Sequence, residues 1–314
     1  MTMHMNGKLK LNLPSPIQSL NDRLFEEAGI KVFAKRDDLI DDEISGNKWR
    51  KLKYNIINSD GLPILTFGGA FSNHIAATAA TCYRLGRKSF GIIRGERAQM
   101  LNNTLQQAED YGMQLHFISR SEYRLKSDPN FIESLHKKLG EFHLVPEGGA
   151  NKYGVKGSRD IVNEIELPFD YLVSAMGTGT TLSGMLIASD KNQKQVGIPV
   201  LKNGGFLNDD VNRMVHDFTK EFLKPEPKGN FEILTDYHFG GYARISDELI
   251  DFIRYFNKQH HIKTDPVYSG KSAFALYDLV KKNYFEKGST VVWLHCGGLQ
   301  GIEGIEKRYG LKIF

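Results

Sequence analysis

The sequence predicts an α/β protein with mostly parallel strands, and two observations carry that expectation. Short β-rich runs recur along the chain, several of them apolar at nearly every position, as strands covered on both faces are. Stretches with helical spacing of apolar residues lie between these runs, an alternation that builds parallel sheets through helical crossovers. In chain order the runs are Lys31–Lys35 (KVFAK), Ile64–Phe67 (ILTF), Ser89–Ile93 (SFGII), Gln114–Ile118 (QLHFI), Tyr171–Ala175 (YLVSA) and Thr290–His295 (TVVWLH). Between them, Asn47–Ile57 sets Trp49, Leu52 and Ile56 on one stripe, Asn73–Leu85 is rich in alanine, and Asp247–Gln259 repeats Leu249, Ile253 and Phe256.

The 314 residues suffice for one large domain or two ordinary ones. Apolar residues make up 40% and charged residues 25%, a globular balance rather than a disordered one. Lys and Arg number 41 against 37 Asp and Glu, a net charge of +4 spread along the chain, which gives no reason to expect a nucleic-acid partner. No apolar run is long enough to span a bilayer, so no membrane partner is expected. The start, MTMHMNGKLKLNL, lacks the apolar core of a signal peptide. Cys82 and Cys296 cannot build a disulfide framework and fit a reducing compartment, so the expected location is cytoplasmic. Lys224–Asn230 (KPEPKGN) reads as a surface loop rather than a linker.

Three glycine-bearing turns stand out. In Ser45-Gly46-Asn47-Lys48, Ser45 or Asn47 can cap a helix with Lys48 in its first turn. Lys48 is then either a solvated lysine or an amine with a lowered pKa, able to form a Schiff base with a carbonyl group. Gly68-Gly69-Ala70-Phe71-Ser72-Asn73-His74 follows the run ILTF and opens the alanine-rich helix. Its backbone N–H groups suit an anion such as a carboxylate, while Ser72 or Asn73 also fits a plain cap. Gly177-Thr178-Gly179-Thr180-Thr181 follows YLVSA. It matches neither a Walker loop nor a dinucleotide fingerprint, and a phosphate cup suits it best. Asp265-Pro266-Val267-Tyr268-Ser269 and His295-Cys296-Gly297-Gly298 complete the set, with Cys296 placed like a small buried hydrophobe. The acidic run Asp37, Asp38, Asp41, Asp42 and Glu43 lacks calcium-loop spacing and reads as solvated surface; His260 and His261 read as surface too. No metal site is expected.

Together with Ser15-Pro16-Ile17-Gln18-Ser19-Leu20 and Lys35-Arg36-Asp37-Asp38, these segments resemble the fold type II pyridoxal-phosphate enzymes. More narrowly, they are similar to the group holding D-cysteine desulfhydrases and 1-aminocyclopropane-1-carboxylate deaminases. The resemblance spans nearly the whole chain. It implies a two-domain architecture like that of the tryptophan synthase β subunit, with mostly parallel twisted sheets flanked by helices. Residues 1–50 and 154–314 would form the large domain, 51–153 a smaller inserted α/β domain, and two copies a homodimer. It implies that Lys48 binds the cofactor covalently, with Lys51 near the cofactor phosphate. Ser72 and Asn73 would contact substrate, Asn73 also the cofactor ring hydroxyl, and Gly177, Thr178, Gly179, Thr180 and Thr181 would hold the phosphate. Tyr268, and Tyr242 after its two glycines, become active-site residues.

Three positions depart from the group's pattern. His74 stands where glutamine is usual, which bears on the substrate carboxylate. Ser269 follows the tyrosine where the deaminases have glutamate and the desulfhydrases a small hydroxyl residue. Cys296 stands where the deaminases have leucine and the desulfhydrases threonine, a position that the resemblance places against the cofactor. A glutamate beside the pyridine nitrogen keeps it protonated and deepens the electron sink, whereas serine or a thiol does so less. Expulsion of a thiol needs less carbanion stabilisation than opening a cyclopropane. The expected activity is therefore β-elimination on a small amino acid, D-cysteine to pyruvate, sulfide and ammonia, with Lys48 or Tyr268 as the base. Deamination of 1-aminocyclopropane-1-carboxylate to 2-oxobutanoate is the alternative. A non-catalytic vitamin B6 or phosphate binder is a third reading, and it leaves Tyr268 without a role.

Overall fold

The computed structural model describes residues 9–44 and 46–314; the start of the chain and the cap expected at Ser45 lie outside the described residues. Among these residues the strands follow in order as β1 (Ile17–Ser19), β2 (Lys31–Lys35), β3 (Ile64–Gly68), β4 (Ser89–Arg94), β5 (Met113–Ile118), β6 (His143–Val145), β7 (Tyr171–Met176), β8 (Lys194–Pro199), β9 (Asn230–Ile233) and β10 (Thr290–Leu294). They form two sheets, one in the order β1-β2-β10-β7-β8-β9 and one in the order β5-β4-β3-β6. Only the β1–β2 pairing is antiparallel. The six expected runs are all strands, with ends shifted by no more than a residue; His295 falls just past β10.

The alternation of side chains explains why the central strands are apolar throughout. In the larger sheet Val173, Val291 and Trp293 enter one core with Phe256 and Leu276 from flanking helices. Their neighbours Leu172, Val292 and Leu294 enter another with Leu182 and Val211 on the opposite face. The smaller sheet divides likewise: Leu65, Phe67 and Ile92 face one cluster, while Ile64 and Ile93 face two others. Both faces of these central strands are dry, so they are apolar at successive positions, whereas the edge strands β1, β5 and β9 are partly exposed.

The helices expected at Asn47–Ile57 and Asn73–Leu85 have those bounds, and the third runs Asp247–His260. Gly46, with φ 65° and ψ −148°, precedes the first, and Asn47 is its first residue rather than its cap. A Cβ at Gly46 would overlap the Cys296 carbonyl. Gly46→Ala is therefore expected to cost about 3 kcal/mol or more in stability, read as a lowered urea midpoint. An unchanged midpoint would mean that the loop shifts freely.

Two expectations about surface are corrected. Asp37 and Asp38 are buried, not solvated. Asp37 pairs with Arg50 at 2.9 Å and Asp38 with Arg36 at 2.7 Å, and buried charges persist where such partners exist. His260 is also buried, its Nε2 2.6 Å from the Tyr277 hydroxyl; only His261, at the helix end, is exposed.

Candidate active site

In each sheet the strand order reverses once, between β7 and β10 in the middle of the larger sheet and between β3 and the edge strand β6 in the smaller. Ligands of open parallel sheets bind outside the carboxyl ends of strands at such reversals. The segments following these four strands, with the start of helix Asn47–Ile57 and with Tyr242 and Tyr268, line a cavity of about 380 Å³.

Lys48 lies in the first turn of its helix. Its Nζ donates to Asn47 Oδ1 at 2.7 Å and sits 6.0 Å from the centre of the Tyr268 ring. Asn47 in turn donates to Thr181 Oγ1 at 3.0 Å, tying the lysine to the threonine loop. Burial lowers the Lys48 pKa, with nearby Cys296 and Asp265 opposing the shift. Lys51, one turn on, is buried beneath Gly149; burial and then the Lys48 charge bring its pKa to about 7. The solvated reading of Lys48 does not describe this amine.

The turn after β3 does two things at once. Ser72 caps helix Asn73–Leu85, its Oγ accepting from the Ile75 N–H at 3.3 Å, and it also lines the cavity. Asn73 Oδ1 and both ring nitrogens of His74 are buried and have no hydrogen-bond partner among the described residues. Burial, and then the charges of Lys48 and Lys51, hold the His74 pKa well below its usual value, so the ring is neutral.

In the loop after β7, Gly179 adopts φ 76° and begins helix Thr180–Ala188 with no side-chain cap, which leaves backbone N–H groups for a ligand. Gly177, Thr178, Gly179 and Thr181 line the cavity, whereas Thr180 is fully buried behind it, 2.8 Å from Thr178 Oγ1. Across the cavity, the Tyr242 and Tyr268 rings meet edge to face at 6.0 Å. Burial raises the Tyr268 pKa far above the usual value, with Tyr242 and Asp265 adding to it, and burial raises that of Tyr242. Asp265 accepts from the N–H groups of Val267, Tyr268 and Ser269 at 2.8–2.9 Å and from Ser269 Oγ at 2.5 Å, which fixes the start of the tyrosine's helix. Ser269 is buried and does not line the cavity; Cys296 does, its thiol pushed up to about 12 chiefly by burial.

Sequence reasoning missed Arg94 and Glu147, which also line the cavity. Their signal was position alone: Arg94 ends β4, and Glu147 stands two residues past β6 before Gly148 and Gly149.

The model of the family described as pyridoxal-phosphate dependent enzyme matches residues 10–297. The chain belongs to that family. A Pyrococcus abyssi protein provisionally named 1-aminocyclopropane-1-carboxylate deaminase is 31% identical, over 92% of this chain and 90% of its own. The mitochondrial bifunctional D-cysteine desulfhydrase/1-aminocyclopropane-1-carboxylate deaminase of Arabidopsis thaliana is 29% identical, over 93% of this chain and 78% of its own. The solved structure of an ACC deaminase homologue superposes with a TM-score of 0.81 at 26% identity, covering 98% of this chain and 99% of that one.

As a pyridoxal-phosphate dependent enzyme, the chain should offer an amine for the aldehyde, an anion site for the phosphate and polar groups for the ring and substrate. Its cavity fits on each count. Lys48 has the lowered pKa, the Gly177–Thr181 loop and Lys51 offer the anion site, and the orphaned atoms of Asn73 and His74 lack only a polar partner. A pKa of about 7 leaves Lys51 mostly neutral at pH 8, and an anion beside it favours the ammonium form. Sulfate, which does not titrate there, is expected to bind at pH 8 with uptake of about one proton, measured by calorimetry in buffers of different ionisation heat. Lys51→Met should abolish the uptake. Uptake unchanged in that variant would place the anion elsewhere.

Proposed function

We propose that this enzyme deaminates a small amino acid by β-elimination, with D-cysteine converted to pyruvate, sulfide and ammonia. The observation that carries this reading is the Lys48 amine facing Tyr268 across a cavity where Cys296 is a neutral thiol and Ser269 is sealed away against Asp265. Bound pyridoxal phosphate supplies the electron sink that stabilises charge left at the α-carbon. Lys48 would hold the cofactor, and its amine, with its lowered pKa, would take the α-proton. Tyr268, with its pKa raised, keeps its proton and serves as a donor. Gly177, Thr178, Gly179, Thr181 and Lys51 would hold the phosphate, with Thr180 bracing Thr178 from behind. Ser72, Asn73 and the neutral His74 take the substrate carboxylate and hold the α-C–H bond in a reactive orientation. Tyr242 packs on Tyr268 and closes that side.

Deamination of 1-aminocyclopropane-1-carboxylate is the second reading, favoured by the names of the relatives. A mere binder would have no use for a lysine and a tyrosine set opposite each other with shifted pKa values. The deciding test supplies the purified holoenzyme with each amino acid in turn. Pyruvate and sulfide from D-cysteine support the elimination reading; 2-oxobutanoate from the cyclopropane with D-cysteine inert would replace it. The same reading includes a division into 1–50 with 154–314 and an inserted 51–153, and assembly as a homodimer, as the family resemblance implies. A cytoplasmic location suits the two buried, unpaired thiols Cys82 and Cys296. Among the described residues, no helix is long and apolar enough to cross a membrane.

A further inference from the structure

A second cavity, of about 430 Å³, adjoins the first and shares Arg94 and Glu147 with it. Arg120, Tyr123, Arg124 and Lys126 complete its wall. The groups come from the carboxyl ends of parallel strands of the smaller sheet: Arg94 ends β4, Arg120–Lys126 follow its neighbour β5, and Glu147 follows β6 on the far side of β3. This is the end of the sheet where the Gly68–Ser72 turn leaves β3. Arg94 reaches that turn, with one guanidinium nitrogen 3.5 Å from where a Cβ on Gly69 would sit.

The charge of this annex is unbalanced. Four cationic side chains face one carboxylate, and Lys126 lies 3.5 Å from it. Among the described residues, Arg94, Arg120 and Arg124 are exposed and have no side-chain hydrogen bond or ion pair, so their guanidinium groups are free to turn toward an anion. Tyr123 is 3% exposed, and the Glu147 carboxylate lies close to its hydroxyl. The Arg94 guanidinium and Lys126 Nζ lie over its ring at 5.5 and 5.2 Å, so the aromatic face gathers the cations. Three guanidinium groups and an ammonium around a single carboxylate leave an excess of cations, which suits an oxyanion.

We propose that this annex binds an oxyanion carried on the β-substituent of the amino-acid substrate, a phosphate ester being the type that fits. This rests on the β-elimination reading of the adjoining site. For O-phosphoserine the α-proton passes to the enzyme's base. The Cβ–O bond breaks with both electrons leaving on oxygen, as inorganic phosphate. The remaining three-carbon skeleton takes up water and ends as pyruvate and ammonia, with no oxidant or reductant needed.

The test compares O-phosphoserine (each enantiomer), serine and D-cysteine on the holoenzyme and on an Arg120→Ala/Arg124→Ala variant. Melting temperature checks that the variant folds. The expected result is that wild type prefers O-phosphoserine to serine, and that the variant loses about tenfold or more in kcat/KM for O-phosphoserine but under about threefold for D-cysteine. Equal losses on both substrates, or no preference for the phosphate ester in wild type, would overturn the proposal. If inorganic phosphate binding falls in the variant while O-phosphoserine turnover holds, the annex takes a free anion and the substrate assignment is wrong. Should no amino acid be turned over, the β-elimination reading fails on its own. O-phosphoserine binding, followed by the cofactor's visible absorbance, then still decides: binding weakened in the variant upholds the annex, and unchanged binding sinks it.

Discussion

Replacing Lys48 by alanine is expected to lower amino-acid turnover by about 10³-fold or more. Borohydride treatment of the wild-type holoenzyme should fix the cofactor on the peptide holding Lys48. The experiment is informative because the cavity holds a rival. Lys51 lies one turn away with a pKa of about 7, so both amines are candidates on acidity alone. Geometry separates them. Lys48 Nζ reaches the open cleft opposite Tyr268, whereas the Lys51 chain is buried beneath Gly149. A phosphate group also serves Lys51 better than an aldehyde does, since an anion restores the charge that burial and Lys48 suppress. Lys51→Met should thus weaken cofactor binding while leaving the covalent label on residue 48. A label on Lys51, or a Lys48→Ala enzyme with full turnover, would reverse the two roles.

What the sequence made legible follows from what is local. A strand buried on both faces is apolar at every position, so β3, β7 and β10 could be read directly. The turns after β3 and β7 carried their chemistry within a few adjacent residues, and Lys48, Ser72, Asn73 and Thr178 meet in one cavity. β8 was harder: it opens on Lys194 and Gln195 and holds Gly197, where a side chain would collide with Met176. The burial of Asp37 depends on Arg50 and that of His260 on Tyr277, partners whose placement no local pattern reveals. Arg94 and Glu147 carry no motif; only the sheet order shows that the strands they follow end at the site.

Arg50→Met is expected to destabilise the fold by about 3–5 kcal/mol. Arg50 is almost wholly buried and stands two residues beyond Lys48 in the same helix. It donates to Asp37 Oδ1 at 2.9 Å and to both Glu164 oxygens at 2.5 and 2.7 Å, while Lys35 meets Glu164 at 3.1 Å. Methionine keeps much of the volume but leaves Asp37 buried beside Glu164 with one fewer cation, and an unpaired buried charge costs more than the pair contributes. The network also has a pH signature. Burial alone would raise the Glu164 pKa, yet Arg50 and Lys35 outweigh it and the net shift is downward. A carboxylate with a depressed folded-state pKa gives stability that is present above its unfolded value, near 4.5, and is lost as pH falls through the folded one. Wild type should therefore lose stability below about pH 4.5 more steeply than Arg50→Met, whose Glu164 has less to lose. Urea denaturation at pH 7 and pH 4 checks both statements. A pH 7 loss under about 1 kcal/mol would mean that water, not Arg50, satisfies these carboxylates. The helix that presents Lys48 would then be held chiefly by its apolar stripe, Trp49, Leu52 and Ile56, which packs with Ile64 and Val145 of the smaller sheet.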